Sequence, residues 1–426
     1  MIEYHPMSPE AKEDPERFFS ALRRECPVHH YVLGEADSER VNSNPLAAQP
    51  TKEFWSVLGY DECVKVMLAP ELFSSKEGPG PERMVALSED GMLLWADNPA
   101  HLRQRRIAAK AFTPLSVERL LPRIQELTDE LIDKLAPLGT AELMSEFAIP
   151  LTIRTVASVM GVDTDRVDDF WRWGRAIVGA FGGDSDALEQ GFTAMQELFA
   201  YLGTQVDARR RIIADGGEPP DDVLSALITS DYNGSRFEDE EIFWASLQLI
   251  TAGFETTSTA TGNAVVLLCT HPEERQKLAA DPGLIDRAVE EILRYRSPLE
   301  GLFRTATDDV ELGGCPIPKG AKIRVVWASA NHDEQQFEAA DRFIVDRDPA
   351  ELRKHVAFGL GPHSCLGAAL ARAELRIALS TLLRRLPDLD LDPADPPVRN
   401  KVLTINGYVR VPVRWDPSAA QPAATA

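Results

Sequence analysis

Phe358-Gly359-Leu360-Gly361-Pro362-His363-Ser364-Cys365-Leu366-Gly367 sets one thiol among three glycines. An Ala/Leu-rich stretch follows, Leu366 to Leu386, which reads as a helix ended by Pro387. Glycines on both sides of a thiol let the backbone take positive φ and keep side chains away from whatever the sulfur approaches. A helix starting just after Cys365 aims its dipole and free N–H groups at the sulfur, which lowers the thiol pKa and tempers electron donation. A lone Gly-x-Cys would be an ordinary buried cysteine in a turn. Here F-G-x-G-x-H-x-C-x-G is matched at every fixed position.

A second stretch, Ala252-Gly253-Phe254-Glu255-Thr256-Thr257, falls midway in a predicted helix, Asp239 to Cys269. Gly253 is a weak point in a helix. Thr256 is placed to bond its hydroxyl to the Ala252 carbonyl one turn back, which bends the helix and opens a groove. Glu255, a carboxylate beside that alcohol, can relay protons from solvent. Taken alone, these letters would be chance threonines and a surface glutamate.

The thiol loop is similar to the haem-binding loop of the cytochrome P450 family, and A-G-x-[DE]-T on the long helix resembles that family's oxygen-activation motif. Further motifs in the family's order extend the resemblance from about His101 to Val413. The resemblance implies a mainly α fold with a small β-rich portion. Haem b (iron protoporphyrin IX) then lies between the long helix and the helix after the cysteine. Cys365 is its axial ligand, pushing electron density toward the iron. His363 meets a propionate, and Phe358, Gly359, Gly367 and Ala252 line the cofactor. Glu255 stands where many members carry Asp, with one more methylene.

The family's buried triad maps onto Glu291 and Arg294, in E-x-x-R at helical i, i+3 spacing, and onto Arg347. Two departures accompany it: Ala340 replaces a proline and His332 replaces an arginine, which affects the expected loop conformation. Propionates are anionic, and Arg binds carboxylates in a bidentate fork. The candidates are His101 and Arg105, from D-x-P-x-H-x-x-x-R, with Arg304 and His363.

The 426 residues carry 44% hydrophobic residues, enough for a sizeable core, and no linker that would divide them. The expectation is one domain over 1–415 and a frayed Pro/Ala-rich tail over 416–426. A formal net charge of -22 makes nucleic acid and anionic membranes poor partners. The 5 cysteines are scattered and form no C-x-x-C pair, which argues against a disulfide framework and a cysteine zinc site. No apolar h-region or spanning run is present, so a cytoplasmic monomer without membrane attachment is expected.

Other helices are expected at Leu115 to Leu135, Phe192 to Ile213, Pro272 to Ala280 and Gly283 to Tyr295. Phe54 to Leu58 reads as a strand, followed by a helix at Tyr60 to Leu68. Val310 to Val326 reads as a hairpin and a buried strand. Val402 to Val413 reads as a hairpin turning at Asn406-Gly407. Glu35 to Glu53 and Lys76 to Arg83 read as loops.

Three activities compete. The first is a monooxygenase fed from NAD(P)H through a separate ferredoxin and ferredoxin reductase, since no such module fits this length. The second is a peroxide-driven haem-thiolate enzyme, and the third a non-catalytic haem-binding protein. Neither of these needs Glu255-Thr256, which favours the first. The expected substrate is a mostly apolar small organic molecule, such as a terpenoid, steroid or aromatic with one polar end. Helix geometry puts Gln248 and Thr251 on the face of Glu255, with Gln248 available to hold an oxygen. By resemblance, Lys76 to Trp95, Leu299 to Phe303 (with Leu302) and Thr404-Ile405 form the walls. An acidic ferredoxin would need a local basic patch, expected from Arg103, Arg105, Arg106 and Lys110 with Arg353, Lys354 and Arg372.

Overall fold

The computed structural model describes residues 4–42, 47–84, 92–180 and 185–423. Its longest helix, Asp239–Thr270, starts where Glu238 and Glu241 form a reciprocal capping box, and its first turn is acidic. This helix threads two apolar cores. Its first half packs Ile250 and Phe254 with Ile153, Trp173, Leu198 and Leu370. Its second half packs Ala264 and Leu267 with Phe147, Ile292, Leu379 and Trp415. Each buried large apolar side chain contributes about 1.5–3 kcal/mol, so the helix is fixed by one core up to Phe254 and by the other from Ala260 onward. Gly253 is required by packing, because a Cβ there would meet Val156 Cγ2 at 2.9 Å.

Pro272–Ala280 forms as expected, Pro114–Leu135 and Ile285–Tyr295 form within two residues of their expected bounds, and the helix expected from Phe192 starts seven residues earlier, as Ser185–Ala214. The cysteine helix begins two residues later than expected, at Ala368, and ends at Arg385. The strands Val28–Val32, Glu53–Val57, Lys322–Val325, Leu302–Ala306 and Phe73–Ser74 lie side by side in that order. All pairs are antiparallel except Glu53–Val57 with Lys322–Val325. The hairpin of Val310–Leu312 with Cys315–Ile317 forms as expected. No helix among the described residues is long and apolar enough to cross a membrane.

Three expectations are corrected. Asn406-Gly407 is not a hairpin turn. Tyr408–Arg410 pairs with Val398–Arg399, and Pro412–Arg414 pairs with Thr140–Glu142 and Asp390–Leu391. Gly407 serves close approach, since a Cβ would strike Thr259 Cγ2, while Asn406 O accepts from Asn263 Nδ2 of the long helix at 2.8 Å. Glu35 to Glu53 is not all loop. It holds a helix, Glu35–Asn42, and a strand, Ala47–Gln49, with Asn42 bridging to both Thr51 N (2.6 Å) and Thr51 O (2.9 Å); residues 43–46 lie outside the described ones. The stretch 416–423 is tethered rather than frayed. Pro417–Ala419 form a 3₁₀ turn, Gln421 N donates to Arg385 O at 2.8 Å, and Arg385 Nε returns a bond to Gln421 O at 2.9 Å.

Candidate haem-thiolate site

The cysteine loop is held by backbone conformation first. Gly359 and Gly361 adopt φ of +65° and +69°, a region costly for other residues. A Cβ on Gly361 would also meet Met67 O at 2.7 Å. Cys365 N donates to Phe358 O at 2.8 Å and closes the loop. The Gly367 amide, Arg105 and Arg372 all favour the Cys365 thiolate. Burial outweighs all three and pushes the thiol above its ordinary value, so the expected lowering is not what the protein alone produces.

Behind the loop, the triad assembles as expected. Arg294 grips Glu291 through Nε (2.7 Å) and Nη2 (2.9 Å), and Arg347 Nε reaches the same carboxylate at 2.9 Å. All three are buried. Arg294 Nη1 also takes the carbonyls of Asn331 (2.8 Å) and Ala340 (2.9 Å), so replacing proline by Ala340 leaves this carbonyl bonded. His332 is buried with its Nε2 2.7 Å from Tyr295 O, and burial pushes it down to about 4. Asn331 Oδ1 accepts from Val356 N at 2.7 Å, joining the triad to the strand of chain that leads into Phe358.

The predicted propionate residues gather on one flank. The rings of His101 and His363 stack with centroids 4.0 Å apart. His363 Nε2 lies 3.2 Å from Ser75 Oγ, and Asp97 secures that serine by accepting Ser75 N (2.9 Å) and Ser74 Oγ (2.5 Å). Arg105 Nη2 donates to Ser364 Oγ at 3.1 Å, so it braces the cysteine loop directly. Arg304 is buried, bonds the Phe303 carbonyl, and is pushed down to about 10 by burial, with Asp97 opposing. Burial and neighbouring Arg105 push His101 down to about 4, and its buried Nε2 makes no hydrogen bond among the described residues. Buried guanidinium and imidazole groups with spare donors suit a ligand bearing two carboxylates, and a thiol beside them suits its iron. The residues present fit haem.

On the long helix, Thr256 Oγ1 donates to Ala252 O at 2.9 Å, the predicted bond. Burial raises the Glu255 carboxyl above its ordinary value. Ala252 is exposed, although its helix is otherwise buried or half-buried from Glu241 to Cys269. Cys365 likewise keeps an exposed face, although protein packed around it desolvates the thiol. Two expected pocket residues are occupied locally: Thr251 Oγ1 bonds Leu247 O at 2.9 Å, and Gln248 Oε1 accepts from Leu94 N at 3.1 Å. Gln248 is therefore not free to hold a substrate oxygen through that atom. Ile405 is buried and bridges to Leu299, while Leu302 is half-buried opposite Val325, so two of the expected walls meet. Of the third wall, residues 85–91 lie outside the described ones.

Sequence reasoning missed Ser364, Ser75, Asn331 and Glu290. Ser364 and Ser75 sit at positions no motif fixes. Glu290 binds Arg372 in a fork (2.6 and 2.9 Å) and His355 Nε2 (2.8 Å), while Arg372 lies 4.4 Å over the Phe358 ring. That ties Arg372, which stays partly exposed, to the cysteine loop and pairs the charge it was expected to lend a basic patch. Arg103 likewise pairs with Glu241, and Lys110 Nζ bonds Asp231 O at 2.8 Å.

The chain matches the family model described as Cytochrome P450 over residues 183–282 and 283–407. It is 37% identical over 410 residues to the Cytochrome P450 monooxygenase PikC of Streptomyces venezuelae, covering 94% of this chain and 91% of that protein. It is 35% identical over 379 residues to the 6-deoxyerythronolide B hydroxylase of Saccharopolyspora erythraea, covering 86% and 91%. The solved structure of the myxobacterial cytochrome P450 CYP267B1 in complex with myristic acid has a TM-score of 0.83 at 33% identity, over 96% of this chain and 98% of that one.

Proposed function

This chain belongs to the cytochrome P450 family, and from that premise we propose that it inserts one atom of dioxygen into a mostly apolar small organic molecule by hydroxylation or dealkylation. It is a haem-dependent monooxygenase. When bound, the haem supplies the redox chemistry with dioxygen. Cys365 is the residue to ligate its iron, with Gly367 N–H, Arg105 and Arg372 favouring the thiolate. His101, Arg105, Arg304 and His363 would hold the propionates, Phe358 would line the macrocycle, and Ala252, Gly359 and Gly367 would leave room for it.

Glu255 and Thr256 manage the proton. Burial makes the Glu255 carboxyl a weaker acid than usual, so it holds a proton longer as pH rises. Thr256 Oγ1 spends its own proton on Ala252 O, which leaves its lone pairs free to accept another. This acid–alcohol pair carries the reading, because a peroxide-driven enzyme or a haem store has no use for it. Relatives whose names state a hydroxylase and a complex with myristic acid support an apolar substrate.

Electrons come from NAD(P)H through a ferredoxin reductase and a small acidic ferredoxin. Of the basic residues near the site, Arg106, Lys110, Arg353 and Lys354 are exposed, and these offer the steering charge. Turnover of a bound lipophilic compound tests the reading. Product should form with NAD(P)H, reductase and ferredoxin, and Glu255→Gln should cut that product far more than it cuts product driven by added peroxide. Equal losses by both routes would contradict the proton role.

A further inference from the structure

Gln248 lies four residues before Ala252 on the long helix, so the two share a face about one turn, roughly 6 Å, apart. Its side chain is buried, and its Oε1 accepts the Leu94 amide at 3.1 Å. Leu94 sits in the 3₁₀ turn Leu93–Trp95, which Trp95 N closes onto Met92 O at 2.6 Å. The first amides of such a turn have no partner within it, and satisfying one from another element fixes the turn to that element. At the other end of this short stretch, Asp97 binds Ser74 and Ser75, and Ser75 meets His363. Met92 and Ala96 are buried, while Leu94 and Trp95 are half-buried. Leu93 packs against the core that contains Ile250 and Phe254. Residues 92–97 thus form a strap. It is tied to the long helix one turn from exposed Ala252, and to the histidine two residues before the exposed thiol.

We propose that Gln248 is a positioning residue for substrate size. By holding the Leu94 amide it fixes the strap as a wall of the pocket, and so limits which bulky molecules reach Ala252, without itself binding them. This rests on the haem-thiolate reading of the site. The required chemistry is an acceptor at the end of a four-atom side chain. Methionine keeps the length and removes the acceptor, and glutamate keeps both.

The test uses the full-length, haem-loaded protein with Gln248→Met and Gln248→Glu. Hydrogen exchange is followed on peptides covering residues 92–97. Affinities for imidazole and for clotrimazole, a small and a bulky azole, are read from the haem spectrum. Losing one net hydrogen bond should raise exchange in the strap about fivefold in Gln248→Met and tighten clotrimazole by a similar factor relative to imidazole. Gln248→Glu should return both toward the unaltered protein. The proposal is overturned if strap exchange is unchanged in Gln248→Met, if both azoles shift equally, or if the two variants behave alike. The site reading fails separately, and only if the reduced carbon monoxide complex of the unaltered protein lacks the red-shifted thiolate band.

Discussion

The region behind Cys365 and the region along the long helix are held by different means. Behind the cysteine, charged groups form multiply bonded networks: a buried one of Glu291 with Arg294 and Arg347, and a partly exposed one of Glu290 with Arg372 and His355. Along the helix at Ala252 to Thr256, the ties are single. One threonine bonds its own helix, and one glutamine holds one amide of the strap. A metal ligand must be placed within tenths of an ångström, and buried networks deliver that because any missing partner is costly. A substrate wall needs shape and few polar contacts, so many side chains can build it.

The largest effect should follow from breaking the rigid side. Glu291→Ala leaves two buried guanidinium groups without their carboxylate and should cost about 3–5 kcal/mol of stability, measured by denaturant titration of the haem-loaded protein. A loss below that of an ordinary surface substitution would mean the triad does not brace the loop.

On the helix side, Thr256→Ala should fold and bind ligands normally. It should still consume NAD(P)H, with the electrons passing to dioxygen and leaving largely as hydrogen peroxide, and a lost proton relay costs about 100-fold in product-forming rate. Unchanged product per NAD(P)H in this variant would remove Thr256 from the mechanism.

Glu374 sharpens the contrast through pH. It is fully buried on the cysteine helix, bonds Thr152 Oγ1 at 2.6 Å, and is pushed up to about 7 by burial. Because its folded-state value lies above its ordinary 4.5, folding retains a proton there. Its contribution is full below pH 4.5 and is lost as pH rises through about 7, by up to about 1.4 kcal/mol per pH unit. Glu374→Gln should flatten stability across that window and be the more stable form at pH 8. Parallel pH profiles would show that the carboxyl does not titrate there.

The smallest effect lies on the surface. Reversing Arg106, Lys110 and Arg353 together should slow reduction by ferredoxin, with a dependence that fades once the Debye length falls below about 10 Å. Substrate binding should not change. Arg103 and Arg372 are poor choices for this test, since each has a carboxylate partner.

What could be read from the sequence follows the same division. The cysteine loop, the Glu291–Arg294 pair and the Thr256 bond were legible because each depends on residue type at short range: positive φ at Gly359 and Gly361, i, i+3 pairing at Glu291 and Arg294, back-bonding from Thr256 to Ala252; Arg347, 56 positions from Glu291, was reached through the family resemblance. The missed features depend on elements far apart in sequence. Nothing near Gln248 announces Leu94, 154 positions away. Asn406-Gly407 has the letters of a turn, yet packing against Thr259 decided its conformation. Arg372 looked free until Glu290, 82 positions away, was beside it.

The central claim is that Cys365, in its glycine loop, ligates the haem iron as a thiolate. The absorption spectrum of the reduced carbon monoxide complex tests it most directly, in the intact protein and in Cys365→His. The intact protein should show the strongly red-shifted band of a thiolate-ligated haem, and Cys365→His should lose that band while still binding haem. A histidine-type spectrum from the intact protein, or a red-shifted band that survives in Cys365→His, would contradict the account.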